Sequence, residues 1–75
     1  IVHSACDPAV AAERIVAGKL LNAGQTCVAP DYALVPRGQV DAFVTAVRAA
    51  AVRRYPRLVA NADYTRVVTR RHWER

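Results

Sequence analysis

Residues 7–22 read Asp7-Pro-Ala-Val-Ala-Ala-Glu-Arg-Ile-Val-Ala-Gly-Lys-Leu-Leu-Asn22, and this stretch predicts an amphipathic helix. The other predicted elements are placed relative to this helix. Asp7 can accept hydrogen bonds from the amides of a first turn, and Pro8 suits the first helical position because its nitrogen needs no partner there. We expect the larger apolar residues of this helix, with Ala11, Ala12 and Ala17 between them, to form its buried face: Val10, Ile15, Leu20 and Leu21. Gly18 weakens the helix by roughly 1 kcal/mol relative to alanine, which indicates a close contact with another helix. The sequence therefore predicts a helix over residues 8–22, which Gly24 ends.

Two short apolar segments are predicted strands. The chain begins with Ile-Val-His, which resembles the middle of a strand. Residues 32–35 are apolar throughout and end at Pro36, as expected for a short strand buried on both faces of a mostly parallel sheet. Residues 24–30 lie before the second of these segments and show neither helical nor strand periodicity, so they predict a loop with a defined conformation.

The second half of the sequence predicts two more helices. Apolar residues recur at three- and four-residue steps over residues 38–54, and Pro56 ends this helix. A third helical segment is predicted over residues 63–75. The resulting order of strand, helix, loop, strand, helix and helix is that of an α/β domain with a parallel sheet. Since two strands cannot form that sheet alone, we expect its other strands to come from polypeptide outside these 75 residues.

The composition fits one small globular domain, with 75 residues, 53% of them hydrophobic, and a formal net charge of +5. The positive charge raises the alternative of a basic helical module that binds nucleic acid. However, the arginines are dispersed and have no aromatic platform beside them, so a solvated face explains them more simply. No apolar run reaches the ~18–20 residues of a membrane span and no signal peptide is evident, which predicts a cytoplasmic protein.

Two cysteines, Cys6 and Cys27, are the candidate reactive groups. Their spacing from His3 and His72 matches no zinc-ligand pattern, so we predict two thiols and no metal. Cys27 is the stronger candidate for a nucleophile because it falls in a loop between a helix and a buried strand, where α/β folds present functional groups. Cys6 is predicted to be a small buried residue or a surface thiol. A redox switch formed by the two cysteines stays open as an alternative.

The pattern around Cys27 is Leu20-x-x-x-Gly24-Gln25-x-Cys27-Val28-Ala29-x-Asp31. This pattern resembles the cysteine active-site signature of the aldehyde dehydrogenases, and residues 7–19 are also placed as in that family. Three further runs are similar to the class 3, fatty-aldehyde and coniferyl-aldehyde branch: Asn-Ala-Gly-Gln-Thr-Cys-Val-Ala-Pro-Asp-Tyr, Asp63-Tyr64-x-Arg66-Val67-Val68 and Arg71-His72-Trp73. The resemblance covers essentially the whole chain.

The resemblance implies an NAD(P)-dependent enzyme that oxidises hydrophobic aldehydes, aromatic or long-chain, to carboxylic acids. The Cys27 thiolate would add to the aldehyde carbonyl, and the Cys27 backbone N–H would donate to the oxyanion. Hydride would then pass to NAD or NADP, and the remaining thioester would be hydrolysed. Gly24 and Gln25 would shape the loop, although a tight turn with an exposed amide explains both residues equally well.

The same resemblance implies that residues 1–75 are only part of a catalytic domain. The family's general-base glutamate, its second oxyanion donor and its cofactor-binding domain would precede Ile1, and an oligomerisation strand would follow Arg75. No Gly-x-Gly-x-x-Gly occurs in these residues. We therefore expect NAD or NADP to be bound by other parts of the polypeptide, the isolated chain to be inactive, and the whole protein to be homo-oligomeric.

Overall fold

A computed structural model describes residues 1–57 and 66–75 of the chain. Its helices are α1 (Pro8–Leu20), α2 (Val40–Arg54) and α3 (Arg70–Glu74). A short turn, Leu21–Gly24, follows α1, and a 3-10 turn, Arg37–Gln39, leads into α2. None of the helices in the described ranges is long and apolar enough to cross a bilayer.

α1 begins where the sequence predicted. The Asp7 carboxylate accepts a hydrogen bond from the Ala9 backbone N–H at 2.9 Å, and Pro8 occupies the first helical position. This cap satisfies one of the backbone amides that the first turn of a helix leaves without a partner. The prediction for the start of α1 is therefore confirmed. The predicted apolar face is wrong in part, because Val10 is 53% and Leu21 62% exposed, whereas the buried residues of α1 are Ala12 and Val16.

α1 ends at Leu20, two residues before the predicted end, because the chain turns into left-handed conformations. The φ angles are +51° at Asn22, +55° at Ala23 and +77° at Gly24. A left-handed backbone cannot continue a right-handed helix. Glycine adopts this conformation readily, whereas alanine does so at a cost of roughly 1–2 kcal/mol. The turn therefore aims the following loop away from the axis of α1.

The core lies between α1 and α2 and includes one residue from the start of the chain. Ala12 is 0% exposed, Phe43 is 8% exposed, and Val2 of the first segment covers them at 5% exposure. Half-buried apolar side chains surround this centre: Cys6, Ala11, Ile15, Val35, Ala46 and Val47. Because the small Ala12 faces it, Phe43 can fill the space between the two helices.

The close contact predicted at Gly18 is made with the loop and not with another helix. A Cβ atom at Gly18 would lie 3.3 Å from Cδ of Pro30. The bare backbone at Gly18 therefore lets the loop after Cys27 lie directly against α1.

The prediction of a partial parallel sheet is wrong. In residues 1–57 and 66–75 there is no strand, and the two segments predicted as strands share a single backbone hydrogen bond, from the Val2 N–H to the Leu34 carbonyl at 2.8 Å. A strand needs a ladder of such bonds with a neighbour. Most of their apolar side chains also point to solvent, with Ile1 100%, Tyr32 82% and Leu34 57% exposed, whereas Val2 is buried and Val35 half-buried. Apolar content alone predicted strands here, but the described residues supply no further backbone hydrogen bond between the two segments.

The third predicted helix is much shorter in the structure. α3 spans Arg70–Glu74 and is capped by Thr69, whose hydroxyl accepts from the His72 N–H at 3.2 Å. Residues 63–65 of the predicted range lie outside the described residues. The predicted apolar member Trp73 is 73% exposed, so it does not pack against the α1–α2 core.

Glu13 links α1 to the end of α2 through two ion pairs. Its carboxylate oxygens lie 2.9 Å from Nη2 of Arg53 and 3.0 Å from Nη2 of Arg54. The hydrogen bond from Arg53 is the main reason that the pKa of Glu13 lies below its usual value. Two of the arginines behind the nucleic-acid alternative are thus engaged within the chain.

We expect Glu13→Gln to lower the melting temperature near neutral pH but not in acid. Because the folded-state pKa of Glu13 is depressed, its stabilisation is present above the unfolded-state pKa and is lost as the pH falls through the folded-state value. Thermal unfolding followed by circular dichroism at about pH 7 and about pH 3 measures this difference. Glu74→Gln is the matched control, since the ion pair that the structure describes for Glu74 is with Arg70 in the same helix. Equal shifts at both pH values for Glu13→Gln would contradict the prediction.

Candidate active site

Cys27 lies in an exposed tight turn between α1 and α2. The Ala29 backbone N–H donates to the Thr26 carbonyl at 3.0 Å, so Cys27 and Val28 occupy the two central positions of the turn. The side chains of both central residues are exposed, and Cys27 is a free thiol. This placement gives the thiol the accessibility that a nucleophile needs.

The backbone N–H of Cys27 does not take part in the hydrogen bond that closes the turn. The turn closes through the Ala29 N–H, and among the described residues no carbonyl or side chain accepts a hydrogen bond from the Cys27 N–H. Thiol and unpaired amide belong to the same residue, so a carbonyl compound bonded to the sulfur would lie close to a donor. Such an arrangement can stabilise an oxyanion.

Gln25 connects the Cys27 loop to a distant segment of the chain. Its side-chain Nε2 donates to the Arg66 carbonyl at 3.1 Å, and its Oε1 accepts from the Val68 N–H at 3.0 Å. Nε2 also donates to the Asn22 carbonyl at 3.0 Å, as does the Gln25 backbone N–H at 3.0 Å. Both ends of the Gln25 amide are therefore hydrogen-bonded, and the loop is tied to residues 66–68.

Gly24 sets the direction in which the loop leaves α1. Its φ of +77° favours glycine, and an added Cβ would lie 3.4 Å from the Lys19 carbonyl oxygen. Lys19 also spans the base of the loop, with its Nζ 3.9 Å from Oδ1 of Asp31. Because both charged side chains are largely exposed, this ion pair contributes little to stability.

Cys6 occupies a different environment from Cys27. It is half-buried and packs against the core, and its Sγ donates to the Asp7 carbonyl at 3.6 Å. Both cysteines are free thiols in the structure. Within the part of the chain that the structure describes, no three His, Cys, Asp or Glu side chains are grouped so that they could hold a metal ion.

The residues present do not fit a dinucleotide. Binding of the pyrophosphate uses free amides at the start of a helix that follows a strand. At the start of α1, however, Pro8 has no N–H and the Ala9 N–H is taken by the Asp7 carboxylate. α2 carries an acidic residue, Asp41, in its first turn, and no strand precedes either helix in the described ranges.

Comparison with known proteins identifies the family of the chain. The whole chain, residues 1–75, matches the model of the family described as the aldehyde dehydrogenase family. The chain therefore belongs to the aldehyde dehydrogenase family, which confirms the resemblance predicted from the residues around Cys27.

Several relatives of the chain carry names from the predicted branch. The chain is 49% identical over 75 residues to a probable coniferyl aldehyde dehydrogenase of Caulobacter vibrioides, a match that covers 100% of this chain and 16% of that protein. It is 54% identical over 61 residues to the probable coniferyl aldehyde dehydrogenase of Pseudomonas aeruginosa, covering 81% of this chain and 13% of that protein. Aldehyde dehydrogenase family 3 member A2 of Rattus norvegicus is 41% identical over 71 residues, covering 93% of this chain and 15% of that protein. The chain thus spans 13–16% of the length of these relatives. No solved structure matches it.

The long-range partners of Gln25 were not found from the sequence. They lie 41 and 43 residues further along the chain, and both are backbone groups. Since every residue offers the same carbonyl and, proline aside, the same N–H, no residue type marks such a partner. Only the presence of a long amide side chain next to the left-handed Gly24 could have suggested a bridging role.

Proposed function

We propose that this chain is the nucleophile-bearing part of the catalytic domain of an NAD(P)-dependent aldehyde dehydrogenase. The observation that supports this most strongly is the exposed Cys27 thiol, at the centre of a tight turn, in a chain that belongs to this family. The length of the relatives supports the view that residues 1–75 are one part of a larger enzyme.

Cys27 acts as the nucleophile in the proposed reaction. The thiolate sulfur donates an electron pair to the aldehyde carbon, a C–S bond forms, and the π electrons of the carbonyl move to its oxygen. The product of this step is a thiohemiacetal oxyanion. The Cys27 N–H, which has no acceptor in the described residues, donates to this oxygen; the loss of one such donor typically costs ~3–4 kcal/mol.

The remaining chemistry is assigned to residues outside this chain. NAD or NADP supplies the hydride acceptor of the oxidation, and since the helix starts of this chain do not fit a dinucleotide, we place its binding residues elsewhere in the polypeptide. A general-base glutamate and a second oxyanion donor are likewise placed there. The chain contributes the thiol, one oxyanion donor and the loop that carries both.

The names of the relatives support a hydrophobic aldehyde as the substrate. Two of them are named for coniferyl aldehyde, which is an aromatic compound. We therefore propose an aromatic aldehyde as the preferred substrate, with long-chain aldehydes as the next class to test.

The test is an assay for aldehyde-dependent reduction of NAD and NADP by the full-length protein that carries this segment. We expect NADH or NADPH to form with coniferyl aldehyde and a carboxylic acid to accumulate in equal amount. The isolated 75-residue chain is expected to give no product, because it does not provide the cofactor site. Product formation by the isolated chain, or none by the full-length protein with any aldehyde, would contradict the proposal.

A further inference from the structure

We infer that Gln25 is a positioning residue whose side-chain amide takes the place of a strand residue beside residues 66–68 and so holds the Cys27 loop. The inference rests on the proposed function only for the chemistry of Cys27. The hydrogen bonds themselves are properties of the chain and can be tested without any assay of activity.

The hydrogen bonds of the Gln25 side chain reproduce the pattern of a parallel strand pair. In a parallel ladder, one residue donates its N–H to the residue before its neighbour and accepts from the N–H of the residue after it. Gln25 Nε2 donates to the Arg66 carbonyl at 3.1 Å, and Oε1 accepts from the Val68 N–H at 3.0 Å. A side-chain amide offers an N–H donor and a C=O acceptor, as a peptide group does. Gln25 therefore makes the hydrogen bonds to residues 66 and 68 that a neighbouring backbone would make.

The Gln25 amide is also fixed from the side of the loop. Its Nε2 and its backbone N–H both donate to the Asn22 carbonyl, each at 3.0 Å. The adjoining Gly24 is held in a left-handed conformation. Side chain and backbone of Gln25 therefore share one acceptor, and the turn that contains Cys27 begins at the next residue.

This arrangement should affect the Cys27 amide more than the Cys27 thiol. The thiol is exposed, so its access to a small reagent does not depend on the exact orientation of the turn. The usefulness of the N–H as an oxyanion donor depends strongly on its direction and distance. Loss of the Gln25 bonds is therefore expected to slow a reaction that forms an oxyanion and to leave simple alkylation nearly unchanged.

The test uses the full-length protein with Gln25→Ala and Gln25→Glu. We expect Gln25→Ala to lower kcat roughly 10- to 100-fold with little change in KM for the cofactor, while the rate of Cys27 alkylation by iodoacetamide changes by less than about threefold. The carboxylate of Gln25→Glu cannot donate to the Arg66 carbonyl. Its protonated form can, so the ratio of its rate to that of the wild type should rise as the pH falls from about 7 to about 5.

Gln39→Ala is the matched control. The Gln39 side chain also makes a long-range bond, donating to the Ser4 carbonyl at 3.1 Å, but it lies at the start of α2, away from the Cys27 turn. We expect this control to keep the kcat of the wild type. An equal loss of kcat in Gln39→Ala and Gln25→Ala would show a general loss of stability and would overturn the inference.

Hydrogen–deuterium exchange separates failure of the inference from failure of the proposed function. Gln25→Ala should accelerate amide exchange in residues 25–29 and 66–68, and Gln39→Ala should not. Absence of this acceleration would overturn the inference even if the enzyme is active. Absence of aldehyde oxidation in the wild type would contradict the proposed function alone, since the exchange result would still decide whether Gln25 joins the two segments.

Discussion

Cys27→Ala is expected to abolish aldehyde oxidation by the full-length protein, with kcat/KM falling by about 10⁴-fold or more. Alanine leaves no atom that can bond to the aldehyde carbon, so the covalent route is closed. The exposed turn tolerates the change, because the Ala29–Thr26 hydrogen bond that closes it involves no atom of Cys27. NADH or NADPH formation, followed by absorbance, measures the loss, and an unchanged melting temperature shows that the fold is intact.

Cys6→Ala provides the control for this experiment. Cys6 packs against the core and lies outside the turn, so its removal should leave kcat within about twofold of the wild type while lowering stability slightly. If Cys27→Ala retained activity, or if Cys6→Ala lost as much, the assignment of Cys27 as nucleophile would be wrong.

Phe43→Ala is expected to lower the free energy of unfolding by about 3 kcal/mol. Phe43 is 8% exposed and packs with Ala12 and Val2 between α1 and α2. Removal of its ring leaves a cavity that the small neighbouring side chains cannot fill. Against a total stability of roughly 5–15 kcal/mol for an ordinary domain, this loss is large. Urea unfolding followed by circular dichroism at 222 nm, the helix signal, measures it.

Val52→Ala is the comparison for Phe43→Ala on the same helix. Val52 is 62% exposed, so its truncation should change the free energy of unfolding by less than about 0.5 kcal/mol. Similar effects of the two substitutions would mean that the α1–α2 contact is not the main source of stability.

The helices could be predicted from the sequence because their determinants are local. The Asp7-Pro8 start and the apolar spacing that includes Phe43 predicted α1 and α2 closely. The early end of α1 was missed, because a left-handed Ala23 runs against the preference of that residue. Nothing in the identity of alanine indicates such a conformation.

The strands were predicted wrongly because a strand is not a local structure. The apolar character of residues 32–35 suits a buried strand, but a strand forms only where a neighbour supplies its backbone partners. Here the Val2–Leu34 hydrogen bond is the only one between the two segments among the residues that the structure describes. The loop that carries Cys27 could be predicted, because the residues that indicate it are neighbours in the sequence. The bonds of Gln25 to residues 66–68 could not, because they depend on how distant parts of the chain meet.

The contact of Gln25 with main-chain atoms has a consequence for how the two segments can diverge between relatives. Because the Gln25 amide recognises a carbonyl and an N–H, its two hydrogen bonds use no side-chain atom of residues 66–68. Proline at position 68 would still remove one of these bonds, since it lacks the donated N–H. The link between the two segments therefore depends on the identity of residue 25, whereas at residues 66 and 68 it depends on backbone atoms.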